Sequence, residues 1–241
     1  MPEDERPPAP DHLTLLACGE VEILGRLPWS SNRTYLANCT LDGCDLPGVY
    51  KPGRGERPLW DFGDNLWRRE VAAYELDVAL ESDLVPTTVG REDGPFGIGS
   101  LQWWVDDNEE DHYFTLREHP EFRDWFGELA AFDVVANNAD RKSGHVLYDG
   151  ERCWAIDNGL CFHEQDKLRT VIWEYAGLEV KEHLLERIAR FAGGETGRVG
   201  EWLNPIELAL AQHRAHGLVE NATYPVPDED SDWPPYPWPL I

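Results

Sequence analysis

Basic residues are scarce in this chain. Its 241 residues include 21 Lys plus Arg, only four of them Lys, against 46 Asp plus Glu, for a formal net charge of −25. A surface this negative repels nucleic-acid phosphates and anionic lipid headgroups, which argues against nucleic-acid partners and against stable attachment to a membrane through basic residues. Long apolar runs are missing too: none reaches the ~18 residues that a membrane-spanning helix needs. Residues 1–11 are acidic and Pro-rich, without the basic and apolar regions of a signal peptide, and are expected to be a disordered leader. Cysteines are few and ill-spaced. Cys18, Cys39, Cys44, Cys153 and Cys161 are odd in number and contain no C-x-x-C pair, which suits neither a disulfide framework nor a structural zinc site. A reduced, cytoplasmic chain is the expectation.

What is present is core material. Apolar residues make up 41% of the chain and there are 11 Trp, so a folded protein is expected rather than an acidic coil. The first third reads as strands: loose alternation over 13–24, a run from Thr34 to Thr40, a connection from Leu41 to Gly48, then Gly48-Val-Tyr-Lys51 stopped by Pro52 and Gly53. A helix follows, with Trp67, Val71, Tyr74 and Val78 as its apolar stripe, Asn65 as its cap, and Glu70 on the same face. Residues 85–89 and 101–105 read as short strands, and the acidic run 106–111 as loop. Pro120 opens a second helix that buries Phe122, Trp125, Phe126, Leu129 and Phe132 and ends near Ala136. Gly144 to Ile156 reads as a hairpin with an Asp149-Gly150 turn, and 164–218 as mostly helical. Six prolines forbid regular structure in the tail, which is expected to pack back on the body through Trp233, Tyr236 and Trp238, to be disordered, or to meet a partner.

The expected class is therefore α+β with two lobes, small and strand-rich before helical. The boundaries are 1–11 leader, 12–104 N-lobe, 105–220 C-lobe and 221–241 tail.

Lys51 ends a strand, Asp140 lies in a polar loop after a buried helix, and Asp157 follows the hairpin. Phosphoryl transfer from ATP needs these parts: a fixed cation for the phosphates, a helix carboxylate to hold it, a loop carboxylate for the attacking hydroxyl, and a strand-end carboxylate for Mg²⁺. Their order, strand Lys, helix Glu, loop Asp, hairpin, strand-end Asp, is that of kinase-like folds. The hairpin returns the chain, so Asp157 is expected to face Asp140 across one metal site.

Five segments then resemble the phosphatidylinositol 3-/4-kinase-like family, type II phosphatidylinositol 4-kinases nearest, and within it a compact actinobacterial branch. They are Ser30-Ser-Asn-Arg-Thr-Tyr35 with Gly48-Val-Tyr-Lys-Pro52, Arg69-Glu-Val-Ala-Ala-Tyr74, Gly99-Ser-Leu-Gln-Trp103, Asp133-Val-Val-Ala-Asn-Asn-Ala-Asp-Arg141, and Ile156-Asp-Asn-Gly-Leu-Cys-Phe162. The resemblance implies a protein-kinase-like fold, with ATP and Mg²⁺ (or Mn²⁺) as cofactors. It implies that Lys51 holds the α/β-phosphates, paired with Glu70, and that Ser30, Ser31 and Asn32 line the phosphates. Leu101, Gln102 and Trp103 would border the adenine, Asp140 act as the catalytic Asp, and Asp157 ligate Mg²⁺. The family's second metal ligand, an Asn five residues after the catalytic Asp, is replaced by His145. That leaves three readings of His145: an empty second metal position, a ligand for a softer ion such as Mn²⁺, or a loop hydrogen bond with no metal. No lipid-docking insertion is evident. The expected acceptor is thus a hydroxyl of a soluble small molecule, a polyol, or a protein, with a phosphoinositide third. An ATP-binding pseudokinase and an AMP-transferring enzyme are the alternatives.

Overall fold

The computed structural model describes residues 10–28, 32–108, 110–227 and 234–241. The chain divides into two compact units, Met1–Arg57 with Thr87–Trp104, and Pro58–Pro86 with Val105–Ile241.

The first unit is strand-rich. It opens with helix α1 (His12–Cys18), not with the strand that the alternation predicts. The Asp11 side chain accepts a hydrogen bond from the Thr14 amide at 2.8 Å and caps the helix, burying Leu15 and Leu16. Only after Gly19 does strand β1 (Glu20–Arg26) begin. A Cβ on Gly19 would sit 2.5 Å from the Leu15 carbonyl oxygen, so the turn needs glycine for space. Strands β2 (Tyr35–Leu41) and β3 (Cys44–Pro52) are joined by Asp42 and Gly43, both at positive φ, the two-residue turn that suits strand twist. The expected connection from 41 to 48 is thus half strand. Pro47 is tolerated in β3 because β5 (Gly99–Trp103) pairs only from Gly48 onward, after β4 (Thr88–Arg91) has formed its other side. The sheet is antiparallel with order β1-β2-β3-β5-β4. One face buries Ala37, Cys39, Leu46, Tyr50, Val89 and Leu101 against Leu15 and Leu16.

The second unit is helical. Helix α2 (Leu66–Leu80) belongs here, although the sequence places it with the strands. Its burial explains why. Val78 of the expected stripe is 53% exposed, whereas Ala72, Ala73, Leu76 and Leu80 join the large core with Phe126, Leu129, Phe132, Ile188 and Phe191. The alanines let neighbouring elements approach the helix closely. The short helix α3 (Tyr113–Leu116), absent from the sequence reading, follows. A 3-10 turn at Pro120–Phe122 then leads into α4 (Arg123–Ala136), and Asn137 ends that helix in the left-handed region, φ 51°. The predicted hairpin is β6 (Val146–Tyr148) and β7 (Cys153–Ala155). Helix resumes only at α5 (Glu182–Ala192), followed by α6 (Val199–Trp202) and α7 (Pro205–Asn221). Residues 164–181, expected to be helical, spend their backbone groups elsewhere: Arg169 N–H donates to Asn138, and Arg141 N–H to Arg169. The tail is irregular where described and packs on the body, the buried Tyr224 donating its hydroxyl to the Gly127 carbonyl at 2.9 Å. Among the described residues no helix is long and apolar enough to cross a membrane. All five cysteines are free thiols.

Asp77 ties α2 to the hairpin. Its carboxylate accepts the Leu84 amide at 3.0 Å and the Val85 amide at 3.1 Å, and the Leu84 carbonyl accepts the Ala155 amide at 2.8 Å. Burial pushes the Asp77 carboxyl from 3.8 up to about 7, against the pull of those amides. A carboxyl raised on folding favours the folded state while protonated, so this contribution is complete below about pH 4 and is lost as pH rises through about 7. The stability difference between wild type and Asp77→Asn should therefore fall over that window, read from denaturant midpoints. A difference independent of pH would contradict it.

Candidate active site

Helix α4 delivers the loop of interest. Asp133 points from its buried face, and Arg141, eight residues on, meets it with Nε and Nη2 at 3.0 Å. Both side chains are wholly buried. Asn138 donates its amide to Asp133 at 3.0 Å and accepts the Asp140 amide at 2.9 Å, folding the loop back on the helix end. Arg141 also reaches the far side of the hairpin, donating to the Ile156 carbonyl at 2.9 Å and to Asn158 Oδ1 at 2.7 Å. One guanidinium thereby fixes three backbone segments: the end of α4, the Asp140 loop, and the residues on both sides of Asp157. Arg suits this because its planar fork can serve a carboxylate and two further acceptors at once.

Asp140 and Asp157 lie within electrostatic reach of each other. Asp140 Oδ2 lies 3.1 Å from Lys142 Nζ. Burial raises the Asp140 pKa; Lys142 pulls it back and the charge of Asp157 pushes it up again. Asp157 is half exposed and sits in the left-handed region, φ 57°, a backbone state that Asp tolerates and that is often kept where a side chain must be aimed. His145 Nε2 is 3.3 Å from Asp157 Oδ2. Glu70 is buried, and its carboxylate accepts the Asn158 amide at 3.0 Å, next to Asp157. Around this pair, burial opposes the charge on both Asp133 and Arg141. Burial raises the Asp133 pKa against the pull of Arg141, while Asp133 more than offsets burial at Arg141 and keeps the guanidinium protonated.

The donor set fits a hard divalent ion carried by phosphate. Asp157 offers an accessible carboxylate, and Asp140 is close enough to sense its charge. Among the described residues no three His, Cys, Asp or Glu side chains form a metal-binding group. Mg²⁺ seldom needs one, since it takes one or two carboxylates and completes its shell with phosphate oxygens and water.

The remaining sequence candidates lie in the strand-rich unit. Lys51 is opposite Ser100 and Val49 opposite Gln102, so Lys51 and Gln102 share a face of the sheet. Leu101 pairs with Tyr50 on the other face and is wholly buried in that unit's core. Its side chain is therefore not directed to the Lys51 face. Trp103 has the same parity as Leu101, and its ring lies 4.5 Å from that of His12. Gln102 is buried and donates to Thr88 Oγ1 at 2.8 Å. Asn32 accepts the Arg57 amide at 2.9 Å, pinning its loop to the segment after β3. Ser30 and Ser31 lie outside the described residues, as does Trp233 of the tail.

Five residues of the site had no role in the sequence reading: Asp133, Asn138, Arg141, Lys142 and Asn158. One signal was available. Asp133 stands in the apolar run Ala130-Ala-Phe-Asp-Val-Val-Ala136, and a carboxylate there demands a buried cation.

The two units and this loop arrangement define an α+β protein with a kinase-like fold. The chain is similar to Fam20 from hydra, solved with sugar (TM-score 0.56, 13% identity, 86% of each chain covered). It is also similar to the Helicobacter pylori proinflammatory kinase CtkA (TM-score 0.50, 9% identity, 87% of this chain and 94% of that one). No family model matches the sequence. It is 36% identical over 271 aligned residues to Protein Rv2133c of Mycobacterium tuberculosis, with 96% of each chain covered, and belongs to the family of that protein.

Proposed function

We propose that this protein is a phosphotransferase that moves the γ-phosphate of ATP to a hydroxyl of a soluble small molecule, a polyol first among the candidates. The observation that carries this is the buried Asp133–Arg141 pair, whose bonds hold the loop of Asp140 and both neighbours of Asp157 in one place. Asp140, with a raised pKa, orients the acceptor hydroxyl and takes its proton. Lys142 offsets negative charge beside it. Asp157 is the ligand proposed to hold Mg²⁺, which when bound would supply positive charge to offset that of the phosphates. Lys51 is the proposed cation for the α/β-phosphates and Glu70 the carboxylate that keeps it there, as the resemblance implies. The net charge of −25 disfavours an anionic lipid acceptor, so a phosphoinositide ranks below a polyol or a protein side chain. The sugar in the hydra Fam20 structure belongs to the favoured acceptor class. Free cysteines accord with a cytoplasmic setting.

The test is product analysis after incubation with ATP, Mg²⁺ and a mixture of sugars and polyols. The expected products are ADP and a phosphorylated polyol, and Asp157→Asn should abolish both, because an amide lacks the charge that the cation needs. AMP attached to an acceptor, or an Asp157→Asn variant as active as wild type, would overturn the proposal. His145 is read as leaving the second metal position empty, since imidazole is a poor ligand for Mg²⁺. One bound Mg²⁺ per ATP, counted by metal analysis of the enzyme–nucleotide complex at saturating Mg²⁺, is the expected result, and two would refute it.

A further inference from the structure

Four of the eight residues 234–241 are proline, yet the segment is fastened to the body through its carbonyls. Pro235 O accepts two donors, the Thr170 amide at 3.1 Å and Trp173 Nε1 at 3.0 Å. Leu240 O accepts the Ser143 amide at 2.9 Å. Proline has no N–H but keeps its carbonyl, so this sequence can accept without competing to donate. The two anchor points are not arbitrary surface. Ser143 follows Lys142, whose Nζ lies 3.1 Å from Asp140. Thr170 lies in the segment bonded to the Asp140 loop, where Arg141 N–H donates to Arg169 and Val171 N–H to Arg141. Ser143 and Thr170 are both buried, so without the tail their amides would need other partners. The side chains contribute unevenly: Pro237 is buried, whereas Trp238 is 87% exposed and Ile241 69% exposed.

From this we infer that residues 234–241 are a positioning element of the active site, holding the Lys142–Asp140 pair in place through Leu240 O and the Ser143 amide. The inference rests on the phosphotransfer reading for its rate measurement only; its structural half is tested separately.

The experiment compares the full chain with one ending at Trp233. Hydrogen exchange reads the Ser143 and Thr170 amides, calorimetry reads ATP affinity, and ADP release with water as the acceptor reads turnover. The truncated chain should exchange both amides faster and lose about tenfold or more in kcat, as misplacement of a catalytic group does, with ATP affinity within about twofold of the full chain. A synthetic peptide of residues 234–241 should restore turnover. Should truncation compromise folding, Ser143→Pro removes the amide donor, with Ser143→Ala as the control for the buried hydroxyl that is lost with it. Ser143 is the first residue of a 3-10 turn and Lys142 before it is extended, φ −87° and ψ 166°, which proline accepts. This variant should show the same kcat loss. Unchanged amide exchange overturns the docking whatever the turnover. Unchanged or increased turnover with faster exchange overturns the positioning role. A full chain that releases no ADP counts against phosphotransfer, and the exchange result then still decides the docking.

Discussion

Asp140→Asn is expected to lower phosphotransfer by about 10²–10⁴-fold, the usual contribution of a positioned general base, and to leave ATP affinity nearly unchanged. The substitution keeps the shape of the side chain. It leaves the backbone amide of residue 140 on Asn138 Oδ1, so the loop should hold its course. What disappears is the proton acceptor and the charge that Lys142 faces. A group that acts on the acceptor should affect the chemical step rather than nucleotide binding. Calorimetric titration with ATP and a turnover assay on the same preparation check this. Loss of ATP binding by a folded variant would make Asp140 a nucleotide or metal residue instead.

Arg141→Met should cost about 3–5 kcal/mol of stability, because it leaves the Asp133 carboxylate buried without its counter-charge. The Asp133 oxygens would keep only the Asn138 amide, and the Ile156 carbonyl and Asn158 Oδ1 would lose a donor as well. Replacing both members, Asp133→Leu with Arg141→Met, should recover much of the stability, since a well-packed apolar pair often equals a buried ion pair. Activity should not return, because the tie from the Asp140 loop to the Asp157 flanks is still cut. Urea midpoints and turnover of the three variants separate the two effects. A single variant close to wild type in stability would show that Arg141 is not the tie described above.

Part of this was legible in the chain. The runs Thr34–Thr40 and Gly48–Lys51 marked β2 and the end of β3, and the Asp149-Gly150 turn marked β6 and β7, because strand patterning and positive φ are local demands. The apolar face of α4 was readable for the same reason. The order of Lys51, Glu70, Asp140 and Asp157 along the chain is that of kinase-like folds, and it motivates the phosphotransfer proposed above. Local signals misled where two elements share one pattern: loose alternation over 13–24 contains a helix capped by Asp11 and then a strand. The segment 164–181 carries no strong local signal, and its backbone is claimed by the Asp140 loop and by the tail.

By itself the sequence determined the α+β class, the acidic surface, the turns and the irregular proline tail, all set by interactions between residues a few positions apart. Tertiary structure alone decided that α2 packs with the helices, that Leu101 faces the core while Gln102 shares a face with Lys51, and that Asp133, Arg141 and Asn158 close into one network. The reason is physical. Propensity and periodicity act within a turn or two of chain, but a buried charge is tolerable only if a partner arrives from elsewhere, and which partner arrives depends on how the whole unit closes over it.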